Sequence, residues 1–144
     1  MAIAAVNQNL GELLADDLKV WRAFAYPSYR RGKKVRYFAY LLDEEDANDG
    51  LSVGLTPRDA VKGLNDNSGY CSILVGAIHG LPHGLQVKRD ANDPGHAFIC
   101  NLPLRSISEI MEAKAIFIAR ELARLSNDVC CDPYHPNGCP EIIP

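Results

Sequence analysis

The sequence contains the stretch Gly50-Leu-Ser-Val-Gly-Leu-Thr-Pro-Arg-Asp-Ala-Val-Lys-Gly-Leu64, which predicts a short strand running directly into a helix. Leu51, Val53 and Leu55 stand at every second position, the spacing of a strand with one face on a core. Gly54 interrupts this pattern and indicates a bulge or a close approach of another backbone segment. A strand that feeds a helix in this way favours an architecture built of both elements.

The helix start within this stretch is defined by three residues. Thr56 can accept a hydrogen bond from the first turn, and Pro57 suits the first helical position, where the missing N–H needs no partner. Asp59 would lie near the positive end of the helix dipole. We therefore expect a helix to begin at Pro57.

Composition predicts one globular domain. The chain has 144 residues, of which 47% are hydrophobic and 23% charged, and its formal net charge is −3. The acidic balance argues against a protein-wide nucleic-acid surface. No apolar run approaches the roughly 20 residues that span a bilayer, and the first residues lack the basic start of a signal peptide. We expect a soluble, cytoplasmic protein whose domain covers residues 1–126.

Two long helices are predicted at the ends of this domain. Asn9 and Glu12 form a capping box, and apolar residues then recur at helical spacing over residues 10–25. Ser106 and Glu109 form a second capping box before about 19 residues with an apolar stripe. This C-terminal helix should pack across a sheet.

About five strands are predicted between the two helices. Val35–Leu42 has apolar residues on both faces and predicts a central strand, in which Arg36 would be a buried cation in need of a partner. Further strands follow the opening stretch, at residues 71–78, 85–89 and 96–100. We expect an α+β fold with a mixed or mostly antiparallel sheet.

Two loops of opposite charge flank the predicted central strand. Residues 26–34 hold four cations and two tyrosines, a combination that can contact phosphate or stack a base, although a solvated loop has the same composition. Residues 43–49 are acidic, but their spacing does not match the calcium-binding loop of helix–loop–helix proteins. Pairing of the two loops is an alternative to either ligand.

Histidine and cysteine residues raise the question of a metal site. His79, His83 and His96 lie at predicted strand ends and could ligate zinc. Two histidines separated by three residues indicate a metal site when they lie on a helix, but the glycines and the proline around His79 and His83 argue against a helix there. Surface turn residues are the alternative.

The predicted tail, residues 127–144, is rich in proline and cysteine. Cys130, Cys131, His135 and Cys139 supply the atoms of a zinc site, but their spacing matches no common zinc framework. A disulfide formed under oxidation, or a mobile thiol-bearing arm, fits equally.

The stretch Val35–Leu64 resembles the core of ADP-ribosyltransferase-type domains, which RNA 2′-phosphotransferases and several small bacterial toxins share. The resemblance is carried by an Arg before a glycine-containing strand that ends in Leu55-Thr-Pro57, followed by a helix with Ala60 on its inner face. Strands to about Cys100 would complete the split sheet. The familiar glycine-rich phosphate loops and the serine nucleophile elbow are absent from the sequence.

This resemblance implies roles for particular residues. Arg36, or else Arg30 or Arg31, would hold the pyrophosphate of NAD by paired contacts. Ser52 or Thr56 would lie beside the nicotinamide ribose. No glutamate stands in the family's third-motif position, and His96 would take its place.

Three functions follow as hypotheses. The first is an NAD-using transferase or hydrolase of the kind found among bacterial toxins and effectors. The second is a non-enzymatic interaction domain that forms an oligomer or whose long helix or C-terminal arm binds a partner protein. The third is metal-assisted hydrolysis through the histidines.

Overall fold

The computed structural model describes residues 10–42, 50–62, 64, 69–105 and 109–131. Its strands are β1 (Leu10–Leu13), β2 (Lys19–Ala23), β3 (Arg30–Arg31), β4 (Lys34–Val35), β5 (Leu51–Gly54), β6 (Tyr70–Leu74), β7 (Gln86–Asp90), β8 (His96–Cys100) and β9 (Asn127–Cys130). Its helices are α1 (Pro57–Val61), α2 (Val75–His79) and α3 (Glu109–Leu125), with 3-10 helices at Pro27–Tyr29 and Tyr37–Tyr40.

The main sheet of the described residues has seven strands in the order β1-β7-β8-β5-β2-β6-β9. Every neighbouring pair in it is antiparallel. The predicted α+β class with a mostly antiparallel sheet and a long C-terminal helix is therefore confirmed. The predicted number of about five strands is wrong.

The predicted strand–helix stretch lies at the centre of this sheet. Leu51 and Val53 are buried in the core, and β5 has three strands on either side of it. Thr56 caps α1, because its hydroxyl oxygen accepts the Asp59 N–H at 3.1 Å. A Cβ on Gly54 would lie 2.3 Å from Ala60 N, so the glycine permits α1 to pack directly against the strand.

The predicted N-terminal helix over residues 10–25 is wrong. The chain forms β1 and β2, joined by a turn at Asp16 and Asp17. Two members of the supposed apolar stripe, Leu13 and Leu18, are 52% and 40% exposed. Pairing of β2 with both β5 and β6 therefore overrides a helical spacing that local sequence alone favours.

Two apolar runs predicted as strands are partly helical. Only Val35 of the run Val35–Leu42 is in a strand, because the chain turns after Arg36 into the 3-10 helix Tyr37–Tyr40. Arg36 is exposed and is not the buried cation that the sequence suggested. Within residues 71–78, the strand ends at Leu74 and α2 follows. Short runs that are apolar on all sides do not distinguish a strand from a buried helical turn.

One face of the sheet carries the main core. The helix α3 packs on the 3-10 helix Tyr37–Tyr40 and on β6, and its Ala115, Ile118, Ala119 and Leu122 join strand side chains in one cluster.

The sheet also takes in Asn127–Cys130, the first residues of the predicted tail, while residues 132–144 lie outside the described part. No helix of the described residues is long and apolar enough to cross a membrane.

Candidate functional site

His96 is held at the start of β8 by a carboxylate. Its Nδ1 lies 2.9 Å from Oδ2 of Asp90, the last residue of the neighbouring strand β7. Because an ionised carboxylate only accepts hydrogen bonds, Nδ1–H is the donor. Within the described residues Nε2 has no hydrogen-bond partner, so it is the ring nitrogen left for a ligand. This pairing is the arrangement that orients a general base.

Ser52 lies beside His96 on the same face of the sheet. In the register of β5 and β8, Ser52 pairs with Phe98 and Gly54 pairs with His96. Paired residues project to the same face, and Ser52 and His96 are diagonal neighbours, a relationship that spans about 7–8 Å between Cα atoms. The Phe98 ring packs edge-on against the imidazole at 4.7 Å between centroids. The fold therefore brings together two candidates that are 44 positions apart in sequence (96 − 52).

Arg22 is a third polar residue near this pair, and sequence reasoning missed it. Its Nη1 donates to the carbonyl of Ser52 at 2.9 Å, and its Nε donates to the carbonyl of Ala39 at 2.7 Å. The guanidinium thus ties β2 to β5 just beyond the point where Trp21 pairs with Gly54. The sequence placed Arg22 on the outward face of the predicted helix over residues 10–25, so nothing marked it as a residue near the site. Its side chain projects to the other face of the sheet from Ser52, because Trp21 pairs with Gly54 and Arg22 therefore stands opposite Val53.

These residues line a cavity of about 300 Å³, which we call the His96 cavity. Its walls include Arg22, Ser52, Asp59, Lys62 and His96. Lys62 and Asp59 give this cavity one cation and one carboxylate on the face of the sheet that carries His96. Its volume is at the small end of the range for ligand sites.

Asp59 is fixed in the wall of this cavity by two contacts. Thr56 donates its hydroxyl to Asp59 Oδ2 at 2.8 Å, while its oxygen caps α1. A Cβ on Gly95 would lie 2.6 Å from Asp59 Oδ1, so a side chain at that position would displace the carboxylate. Thr56 itself is exposed and is not among the residues that line the His96 cavity.

The arginines predicted to hold pyrophosphate lie elsewhere. Arg36 lines a separate cavity of about 450 Å³ between β4 and α3. Arg30 and Arg31 form β3 of the small hairpin, and neither lines this cavity or the His96 cavity. The structure thus brings Ser52 and His96 together and separates both from Arg36.

The other two described histidines have structural partners. His79 Nε2 accepts the Val87 N–H at 3.0 Å, and its Nδ1 lies 2.7 Å from Asp16 Oδ1. His83 Nε2 lies 3.2 Å from Glu121 Oε1. Both ring nitrogens of His79 are occupied in joining α2 to neighbouring segments.

No group of three or more His, Cys, Asp or Glu side chains in the described ranges could hold a metal ion. Cys130 is buried in β9 and Cys131 is half-buried, whereas His135 and Cys139 lie outside the described residues. The predicted acidic loop, residues 43–49, also lies outside them.

A buried polar chain lies beneath the C-terminal end of α3. The Tyr40 hydroxyl contacts Ser126 Oγ and lies 3.4 Å from Cys71 Sγ, while Ser126 donates to the Leu122 carbonyl. Burial raises the pKa of the Tyr40 hydroxyl and of the Cys71 thiol. Both groups therefore stay protonated, which suits a structural role and not a nucleophilic one.

Comparison with protein-family models, curated proteins and solved structures gives no significant match to this chain.

Proposed function

We propose that the His96 cavity is the reaction site of an NAD-consuming transferase or hydrolase of the ADP-ribosyltransferase type. The observation that carries the proposal is the convergence of Ser52 and His96 on one cavity, with His96 oriented by Asp90. Arg36 lines a separate cavity and the Arg22 guanidinium lies on the other face of the sheet, so the cation near His96 would be Lys62.

The cavity suits the reacting end of a dinucleotide better than the whole molecule. At about 300 Å³ it would take a nicotinamide riboside group and leave the remainder along the surface. Lys62 is the cation on this side of the sheet and would hold phosphate, while Asp59 would face the positive charge of the nicotinamide ring.

The chemistry required of the protein is limited. In NAD the bond between the ribose carbon and the nicotinamide nitrogen breaks, and its electron pair leaves with nicotinamide. Water or an acceptor group forms the new bond to that carbon. His96 Nε2 would take the proton released by the attacking group, and the Nδ1–H bond to Asp90 would stabilise the resulting imidazolium. The Ser52 hydroxyl would hydrogen-bond the ribose.

The test is release of nicotinamide from NAD by the purified full chain. We expect turnover in the wild type, and a loss of at least about 100-fold in kcat for His96→Gln, the scale of a lost general base. Ser52→Ala should mainly raise KM. His83→Gln and Ser28→Ala are the matched controls and should retain activity, because neither residue lines the His96 cavity. Failure of the wild type to bind or cleave NAD would contradict the proposal.

A second candidate function is protein interaction through α3. Ile110 and Phe117 are 82% and 58% exposed, and they lie two helical turns apart on one side of the helix. Such exposed apolar side chains are typical of a surface that a partner covers. Light scattering with Ile110→Ser and Phe117→Ser variants tests it: a wild-type oligomer that both changes dissociate supports self-association, and an unchanged monomer argues against it.

A further inference from the structure

The cavity that contains Arg36 is lined by five cations. Lys33, Lys34 and Arg36 come from the β3–β4 hairpin and the residue that follows it, and Arg120 and Arg124 come from one side of α3. We call this site, with its volume of about 450 Å³, the basic cavity. It shares no lining residue with the His96 cavity.

The cations of the basic cavity are not neutralised by the protein in the described part of the chain. The ion pairs found there involve Lys19, Arg89 and three histidines, and none of the five. The whole chain carries a net charge of −3, so this local concentration does not follow from composition. Like charges gathered around a concave surface repel one another, and a bound anion removes that cost.

Aromatic rings hold two of the guanidinium groups in place. The Arg120 guanidinium carbon lies 5.2 Å from the centre of the Tyr37 ring, and that of Arg36 lies 4.8 Å from the Phe38 ring. The rings of Tyr37 and Phe38 also pack against each other, with 4.2 Å between their centroids. A guanidinium stacked on a ring leaves its edge N–H groups available for the oxygens of a planar or tetrahedral anion. These two guanidinium groups are therefore already held in place before an anion binds, which lowers the entropic cost of binding.

An interaction with the dipole of α3 accounts for only one of the five cations. Arg124 lies in the last turn of α3, where a positive charge offsets the helix dipole. Lys33, Lys34 and Arg36 belong to a different element and have no such function. Their position opposite α3 gives the cavity positive side chains on two of its walls.

We propose that the basic cavity binds a small ligand that carries two or more phosphate groups. Several cations converging on one concave site match several linked phosphates better than a single one. The acidic net charge disfavours a long nucleic acid that would run beyond the cavity. The binding site is independent of the proposed chemistry at His96.

Calorimetric titration of the full chain with inorganic tripolyphosphate and with ATP tests this proposal. We expect each ligand to bind one site per chain, with an affinity that falls between about 50 mM and about 200 mM salt. Lys34→Gln and Arg124→Gln should each weaken binding about tenfold or more, the effect of losing one charge-assisted contact. Lys114→Gln and Arg58→Gln remove exposed cations outside the cavity and should leave the affinity within about twofold.

Three outcomes would overturn the proposal: no binding of either ligand, binding of ATP without tripolyphosphate, or equal losses in the cavity and control variants. Binding of tripolyphosphate alone would support it, because the phosphates are then sufficient. His96→Gln should bind tripolyphosphate like the wild type, so failure of the NAD proposal and failure of this one are separable.

Discussion

Nδ1 of His96 lies 2.9 Å from Oδ2 of Asp90, across the hairpin that joins β7 to β8. The contact fixes which nitrogen of a neutral imidazole carries the proton, and it leaves Nε2 as an acceptor on the face of the sheet that carries Ser52. His79 also lies close to a carboxylate, but its second nitrogen is used by the backbone of Val87. This difference separates His96 from a histidine with a purely structural role.

We predict that Asp90→Asn changes the tautomer of His96. An asparagine amide can donate to Nδ1, which moves the ring proton to Nε2 and removes the acceptor. Nitrogen-15 spectra of histidine-labelled protein should show Nδ1 protonated and Nε2 unprotonated in the neutral wild-type ring, with a shift toward the opposite tautomer in the variant. Asp17→Asn, on an exposed carboxylate, is the control. A wild-type ring protonated on Nε2 would contradict this account.

Gly54→Ala should destabilise the protein through the contact of β5 with α1. The added methyl would lie 2.3 Å from Ala60 N, a distance that requires the helix to move. We expect the free energy of unfolding to fall by about 2–4 kcal/mol in urea denaturation. Gly80→Ala is the comparison, because that residue has φ −75° and its added methyl would meet its nearest atom at 3.2 Å. Equal stability of the two variants would argue against the close approach.

The ionised Asp128 carboxylate should stabilise the folded protein at neutral pH, and this stabilisation should be lost at acid pH. The Ser72 hydroxyl donates to its Oδ2 at 2.6 Å and Lys19 lies 2.9 Å away, and together they hold the pKa of this carboxyl below its ordinary value of 3.8. The folded state therefore releases the proton more readily, so the stabilisation is present above about pH 4 and is lost as pH falls through the folded pKa.

Asp128→Asn tests this linkage, because asparagine tolerates the positive φ of 50° at this position. In urea unfolding at a series of pH values, the difference in stability between wild type and variant should shrink as the pH is lowered. Ser72→Ala and Lys19→Met should each remove part of the effect, since the Ser72 hydrogen bond is the largest single cause and Lys19 contributes a hydrogen bond and a charge. Parallel pH profiles of wild type and Asp128→Asn would refute the prediction.

Tyr40→Phe should cost about 1–2 kcal/mol of stability. The side chain is buried, and its hydroxyl joins Ser126, which follows α3, to Cys71 on β6. Its removal leaves those two groups with fewer hydrogen-bond partners. Tyr26→Phe is the matched control, because Tyr26 is 61% exposed, and it should be neutral in thermal denaturation. Equal melting temperatures for the two variants would show that the buried hydroxyl contributes nothing.

Local chemistry predicted the centre of the fold well. The alternation in Leu51–Gly54 and the capping residues Thr56 and Pro57 act over a few positions, so sequence alone defines both elements. The long helix α3 was predictable for the same reason. Segments with apolar residues on all sides, such as Tyr37–Tyr40 and Val75–His79, were not, because tertiary packing decides between strand and helix there.

The candidate site was predicted in part. Ser52 and His96 were identified from turn chemistry and a resemblance, and β5–β8 pairing makes them neighbours. Arg22 was missed because its strand had the spacing of a helix, and Asp90 because only the hairpin register brings it to His96. Arg36 is in a different cavity, since the run that contains it is not a strand. Long-range strand pairing is the information that a single sequence lacks.

The central claim is that the nitrogen of His96 not bonded to Asp90 contacts a nucleotide ligand. Titration of histidine-labelled protein with ADP-ribose, followed by nitrogen-15 spectroscopy, tests it most directly. We expect a saturable shift of the His96 Nε2 resonance, with His79 and His83 unchanged. A spectrum in which His96 does not respond to saturating ADP-ribose would contradict it.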